Sequence, residues 1–381
     1  DFVRRRLKVG GVLYISYNTQ PGWAAFAPMR HLMMEHARML GAEGQGIVNR
    51  IDGAIAFAQR LLATNPAYAR ANPQIGVRMK KLESQNRHYL AHEYFNRDWH
   101  PMHFTTLARW LEPAKLQFAC SAHFIDHVDA VNLTSEQQAV VNEVPDMLFC
   151  ETVRDFMVNQ QFRRDYWVKG QRRMSPLERA ERLRVERVVL VAYRPDVSLK
   201  IKGALGDAEM SAQVYNPILD QLADHRVRSI GEIAQAVEGQ GISFAQIVQA
   251  ILILVGGGHL AVAQEDAVVQ KAKKRTERLN AHLCMQARGS GDIGFLASPV
   301  TGGGLPVSRF EQLFLLAQRQ GAKTPEDRAR FVWRILDAQG QKLLKEGRTL
   351  KTPEENLAEL ADQARAFETR RLPILRALQI I

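Results

Sequence analysis

Apolar residues return every three or four positions along most of this chain, and only a few short stretches break that rhythm. Ile47, Ile51, Ile55, Ala58 and Leu62 fall on one helical face. The pattern predicts helices from Pro28 to about Leu90, punctuated by residues 41–46 and by Asn65-Pro66. Ahead of that region, residues 2–8 read as a helix tail. Gly10-Gly11 then stops it, and the β-branched and aromatic run Val12 to Tyr17 follows as a buried strand. A helix feeding a buried strand is half of a βαβ unit, so a parallel sheet is expected. Partner strands in β–α alternation do not follow, and the expectation is that they lie upstream of residue 1. An amphipathic helix over 102–113, a short strand over 116–120, helices over 135–144 and 151–160, and a strand over 162–168 complete a first region, 1–174.

Residues 175–265 form a second region. Ser175 with Glu178 has capping-box spacing, and strands are predicted at 187–192, 198–201 and 210–214. Ser229 with Glu232 and Ser243 with Gln246 open two helices, and Gly256 to Gly258 ends the second. His259 to Val262 then reads as a strand. Helix, turn, helix, glycine break and strand is the outline of a winged helix. The third region, 266–381, reads as helical apart from an irregular stretch, Ser298 to Pro306. Capping boxes stand at Ser308/Glu311 and Thr352/Glu355, as one does earlier at Thr134/Gln137.

A chain of 381 residues exceeds one compact core, which agrees with two or three domains. Its strongest apolar run, Ala250 to Val255, is far below the ~20 residues of a membrane span. Three widely separated cysteines give no disulfide framework and favour a reducing, cytoplasmic setting. The net charge of +11 turns attention to anionic partners. Its concentrations are Arg4 to Lys8, Arg163 to Arg187 and Lys271 to Arg278. The second also holds Glu178, Glu181 and Glu186, as solvated helix faces do. A DNA-reading helix should carry basic residues, yet 244–261 has no Lys or Arg, and Gln246 and Gln249 are its only credible readers. Nucleic acid is therefore not the expected partner. His92, Glu93, Asp98, His100 and His103 lack the HExxH spacing, so no metal is expected. No Gly-Lys-[Ser/Thr] follows Gly302 to Gly304, so no phosphate loop is expected there.

The most informative stretch runs from Leu7 to Trp23. Leu7-Lys8-Val9-Gly10-Gly11 resembles the Leu-Lys-Pro-Gly-Gly turn before the fifth strand of class I S-adenosylmethionine-dependent methyltransferases, with Val9 in the proline position. Tyr14-Ile-Ser-Tyr-Asn-Thr-Gln-Pro-Gly-Trp23, with Arg30, Met33 and His36, resembles the prokaryotic members that carry a methyltransferase regulatory domain. That group includes lysine methyltransferases of bacterial outer-membrane proteins. His92-Glu93-Tyr94 and Gln161-Phe162-Arg163 are similar to later segments of the same family.

The resemblance implies an α/β fold plus mainly helical domains. It would comprise the C-terminal part of a Rossmann-like methyltransferase core with a helical insertion (about 24–90), a winged-helix-like middle domain and a helical C-terminal domain. It implies S-adenosyl-L-methionine as cofactor, a protein substrate with lysine the leading acceptor, and a possible homodimer through the insertion. The family's glycine-rich loop and ribose-binding acid would lie upstream, so the chain by itself is expected to bind cofactor poorly and be inactive.

Ligands of such folds bind outside the carboxyl ends of the strands. Tyr17, Asn18, Pro21, Gly22 and Trp23 would then rim the pocket, with His92, Glu93 and Tyr94 bordering its substrate side. Aromatic faces there would favour a sulfonium or ammonium by ~0.5–2 kcal/mol. No individual catalytic residue is singled out. An acid-lined cleft would favour lysine. The rival readings are a non-catalytic regulatory or docking module, which requires the rim aromatics to be buried, and a winged-helix DNA-binding regulator.

Overall fold

The computed structural model describes residues 1–42 and 44–381 and divides into two compact units. The first comprises Asp1–Arg173 with Gly203–Gly206, and the second Met174–Lys202 with Asp207–Ile381. The molecule is mixed α/β and rich in helix, and no helix is long and apolar enough to cross a membrane among the described residues.

The first unit starts with α1 (Phe2–Arg6) and β1 (Val12–Asn18). Gly10, at φ +79°, supplies the left-handed residue between them. Then come α2 (Gln20–Trp23), α3 (Ala27–Met39), α4 (Ile47–Ala63), α5 (Ala67–Ala71), α6 (Gln74–Glu83) and α7 (Arg87–Glu93). After them follow α8 (Phe104–Leu111), β2 (Leu116–Ser121), α9 (Asp129–Asn132), α10 (Ser135–Asn142), α11 (Met147–Met157) and β3 (Phe162–Lys169). Helices α3 to α7 have an apolar core of their own. Met29, Met33, Ile51, Ile55, Met79, Leu82 and Leu90 are fully or almost fully buried in it. Within the 41–46 break, residue 43 lies outside the described residues.

The sheet of this unit corrects one expectation. Its order is β1-β3-β2, and both neighbouring pairs are antiparallel, with Tyr17 opposite Arg163 and Phe118 opposite Trp167. Within this chain β1 pairs on one side, with the downstream strand β3, and that pairing is antiparallel. The chain leaves β2, passes through α9 to α11 and returns between the other two strands in the opposite sense. β1 and β2 consequently run the same way on either side of it, and antiparallel strands at the edge of otherwise parallel sheets are common. One face packs Tyr17, Phe118 and Trp167 against Phe104 and Leu107 of α8.

The second unit runs α12 (Pro176–Val185), β4 (Arg187–Leu190), β5 (Lys200–Gly203), β6 (Gly206–Glu209), α13 (Ala212–Gln221), β7 (Arg228–Ser229), α14 (Ile230–Ala236), α15 (Phe244–Gly256) and β8 (Leu260–Val262). It continues with α16 (Asp266–Gln286), β9 (Phe295–Ser298), β10 (Gly303–Pro306), α17 (Arg309–Arg319), α18 (Pro325–Ala338), β11 (Leu344–Lys345), β12 (Arg348–Thr349), α19 (Pro353–Ala366) and α20 (Leu372–Ala377). Strands β7, β4 and β8 form one antiparallel sheet beside α14 and α15. A single apolar cluster takes Val189 from β4, Phe314 from α17, Val332 from α18 and Ile374 from α20.

All six spacings read as capping boxes are formed, and Thr324 with Asp327 adds one that the chain pattern left unremarked. The strand expected at 210–214 is instead the start of α13. There Ser211 is the N-cap, and Tyr215, Ile218 and Leu219 bury one helical face. The irregular stretch 298–306 is largely a hairpin, β9 with β10, turned through Gly302 at φ +70°.

Candidate functional site

The carboxyl end of β1 is held from two sides. The Thr19 amide donates to the Gln161 carbonyl at 2.9 Å, and the Thr19 hydroxyl to the Gln160 carbonyl at 2.7 Å. From the other side, the Met102 amide donates to the Asn18 carbonyl at 2.9 Å. The chain then turns into α2, where the Gly22 amide also donates to Gln160. A Cβ on Gly22 would lie 2.3 Å from Gln161 Cγ and 2.6 Å from the Gln160 carbonyl oxygen, so only glycine fits this approach.

Beyond this turn opens a cavity of about 860 Å³ in the first unit, with Pro21, Gly22, Phe26, Ile75, Arg78 and Tyr94 among its walls. Lys81, Gln85 and Gln161 also border it, and no Asp or Glu does among the described residues. Trp23 packs edge-on against Phe26, Tyr94 and Trp99, with centroids 6.0, 5.6 and 5.1 Å away. The Arg78 guanidinium lies 3.9 Å from the Trp23 ring centroid and covers that face. Cation–π attraction and the Gln161 carboxamide, 3.0 Å away, fix its direction.

On the buried face of the sheet lies a second polar assembly. Arg163, only 6% exposed, donates to Glu151 at 2.8 Å, Asp155 at 2.6 Å and Asp165 at 3.0 Å, and stacks over Phe104 at 4.4 Å. The Tyr17 hydroxyl donates to the other side of Asp165 at 2.8 Å. Burial pushes the Asp155 carboxyl up to about 7, against the pull of Arg163. Burial likewise raises Asp165, again against Arg163. The Tyr17 phenol is pushed far above its ordinary value by burial and by the facing Asp165. For Arg163, burial works downward, but Asp155, Asp165 and Glu151 outweigh it and hold the guanidinium charged. This assembly is structural chemistry: it joins β1, β3 and α11 through groups that are buried except for the partly exposed Glu151.

The residues expected to rim one pocket are thus sorted into different places. Pro21, Gly22 and Tyr94 come together on the cavity wall. Tyr17 is 6% exposed and belongs to the Arg163 assembly, while Trp23, 7% exposed, lies behind Arg78. Asn18 ends β1 outside the residues that border the cavity. The His92 ring is turned to solvent and meets only Glu93, at 3.1 Å. Arg163, grouped in the sequence with solvated charges, is buried instead. Its signal was the alternation Arg163, Asp165, Trp167 on the inward positions of one strand. Arg78 and Lys81 had no such signal, because their role comes from the packing of α6 near α2.

Nearby, Ser121, His123 and Asp126 resemble a hydrolytic set in composition only. Asp126 accepts from the Ser121 hydroxyl at 2.7 Å and pairs with the His123 ring at 2.9 Å, so serine and histidine do not form a nucleophile–base pair.

A family model described as "Predicted methyltransferase regulatory domain" matches residues 86–169, from α7 through β3. The uncharacterized protein sll1526 of Synechocystis sp. is 41% identical over 380 residues, covering 100% of this chain and 74% of that one. RP789 of Rickettsia prowazekii is 25% identical over 168 residues, 42% of this chain and 28% of that protein. Among solved structures, PKMT2 from Rickettsia typhi in complex with AdoHcy superposes with a TM-score of 0.64 at 14% identity, covering 99% of this chain and 77% of that one. A second structure of PKMT2 gives a TM-score of 0.59, covering 98% and 75%. At that identity the likeness is one of fold.

Proposed function

Because this chain belongs to the family that shares the methyltransferase regulatory domain, sll1526 of Synechocystis among its members, we propose that it serves methyl transfer from S-adenosylmethionine to a protein, with lysine as acceptor. The observation that carries this reading is the cavity that opens beyond the carboxyl end of β1, walled by Pro21, Gly22 and Tyr94. The fold likeness to PKMT2, which in one structure holds AdoHcy, supports the choice of cofactor.

The residues present fit such a cofactor in part. They offer a close backbone approach at Gly22 beyond the end of β1, while the glycine-rich loop and the ribose-binding acid that the resemblance implies are not among them. Bound, it would supply a methyl group on a sulfonium, which an in-line nucleophile displaces once aligned and desolvated. Toward that, this chain contributes a rigid turn at Pro21 and Gly22 and an apolar wall at Phe26 and Ile75 against which the methyl-accepting protein would pack.

A second reading, a regulatory or docking module, is favoured by one specific observation: Tyr17 and Trp23 are buried, as that reading requires. The two separate by calorimetric titration of S-adenosylhomocysteine into this chain and into a version lengthened upstream by about 100–150 residues. The same proteins are assayed for transfer of a tritiated methyl group to untreated and lysine-acetylated bulk protein. Binding with transfer only to untreated protein is the expected result. Absence of binding and transfer in both versions would move the assignment to the docking module.

A further inference from the structure

Arg78 and Lys81 are the ionisable side chains of basic type on the cavity beside Gly22, and no carboxylate faces them there among the described residues. Elsewhere in these helices arginines do find acids: Arg87 pairs with Asp52 at 2.6 Å and Arg38 with Glu35 at 2.6 Å. Arg78 differs. Its plane is spent on Trp23 and, 4.9 Å away, Phe26, and one nitrogen is spent on Gln161. A guanidinium has five N–H donors in a fixed fork, so this clamp holds the group still and leaves most of its donors unused. A pre-oriented guanidinium loses little freedom on pairing, which is what makes it selective for carboxylate.

The remaining walls define the rest of the occupant. Phe26, Ile75, Val77 and Pro73 are apolar, so the cavity is shaped for side chains and not for a sugar–phosphate backbone, which calls for a stripe of cations. Two cations and an apolar floor describe the complement of an acidic peptide segment.

We propose that this cavity is a specificity subsite that receives an acidic segment of the protein substrate, with Arg78 and Lys81 pairing its carboxylates. A substrate lysine would be repelled here. The methylated residue therefore lies to one side, and the cavity reads its neighbours along the chain. The inference rests on the preceding reading only in taking the partner to be a protein substrate.

The test uses two labelled peptides with a central lysine, one flanked by glutamates and the other identical except for glutamines, titrated by fluorescence anisotropy into the whole chain. The glutamate peptide is expected to bind about tenfold more tightly, with a preference that shrinks as salt is raised. Lys81→Glu, on an exposed side chain, should abolish the preference without changing thermal unfolding. Arg78→Gln, which keeps a donor for Gln161, should weaken it. Equal binding of the two peptides, indifference to Lys81→Glu, or binding of neither peptide at millimolar concentration overturns the proposal. So does displacement of the glutamate peptide by S-adenosylhomocysteine or inorganic phosphate, or tighter Lys81-dependent binding of an oligonucleotide. The assay needs no catalysis. A glutamate preference without methyl transfer condemns the enzymatic reading alone, and methyl transfer indifferent to flanking acids condemns this inference while leaving methyl transfer standing.

Discussion

Replacing Asp155 by Asn should change how stability depends on pH while barely changing it in acid. Asp155 is 3% exposed, one oxygen accepts from Arg163, and the other is buried with no partner. Burial raises its pKa to about 7, against ~3.9 for an unfolded aspartate. The sign follows from proton counting. Between those values the folded state holds the proton more firmly than the unfolded chain, so folding is favoured in acid and loses stability as pH rises. The contribution is complete below about pH 4 and gone above about pH 7. At ~1.4 kcal/mol per pH unit, the step from pH 5 to pH 7 removes roughly 2–3 kcal/mol. Asparagine copies the protonated acid in shape and does not titrate. Asp155→Asn and the parent chain should therefore be close in stability at pH 5, and the variant should be the more stable at pH 8. Asp165, Glu151, Arg163 and Tyr17 face the same site and remain in both proteins, so the difference between the two curves isolates the one carboxyl. Urea denaturation followed by tryptophan fluorescence reads the right part of the molecule, since four of the five tryptophans, Trp167 included, belong to the first unit. Parallel curves for the two proteins from pH 5 to pH 8 would refute the reasoning.

Tyr17→Phe removes one donor from Asp165 but leaves Arg163 Nε at 3.0 Å, so a loss of about 1–2 kcal/mol is expected by the same denaturation. Gly22→Ala drives a methyl group onto the Gln160 and Asn159 carbonyls and the Gln161 side chain. A cost of about 1–3 kcal/mol and weakened binding of the glutamate peptide should follow, read by calorimetric melting and anisotropy. Asn280 is fully buried in the second unit, exchanges two hydrogen bonds with Ala297 and donates a third to the Ile380 carbonyl. Asn280→Ala should lower stability by roughly 2–4 kcal/mol and speed amide exchange at Ala297.

Legibility in the sequence followed the range of the interaction. The capping boxes at Thr134, Ser175, Ser229, Ser243, Ser308 and Thr352 were readable because donor and acceptor lie three residues apart. Strands β1, β2 and β3 were readable from their apolar or alternating runs, but their order was not. An antiparallel return through β3 leaves no mark on periodicity. Strands β9 and β10 are four residues each, and β10 begins with two glycines, so no pattern announced them. Of the site, Pro21 and Gly22 were found through the stretch that leaves β1, and Tyr94 through the segment His92-Glu93-Tyr94. Arg78 was not, because an arginine in the middle of an amphipathic helix looks solvated until the indole beneath it is known. Lys81, three residues on in the same helix, gave no more away.

The end of β1 lies between two fields of opposite sign, and the sheet keeps them apart. Behind Tyr17, one guanidinium is shared by three carboxylates, an acid-rich assembly in which only Glu151 is partly exposed. Past Gly22, two cations border the cavity with no acid among the described residues. A lysine ammonium would be drawn to the first, but finds it buried, and would be repelled by the second, which is open. An acid-lined cleft was the feature that favoured lysine, and this cavity lacks it. Lysine as acceptor survives only if the acceptor nitrogen stays outside the cavity and the cavity binds its neighbours. The acidic subsite is thus the condition under which the lysine reading and this basic cavity are compatible. Should the glutamate preference fail while methyl transfer stands, the acceptor to seek next is a neutral or anionic one, which the same two cations would hold directly.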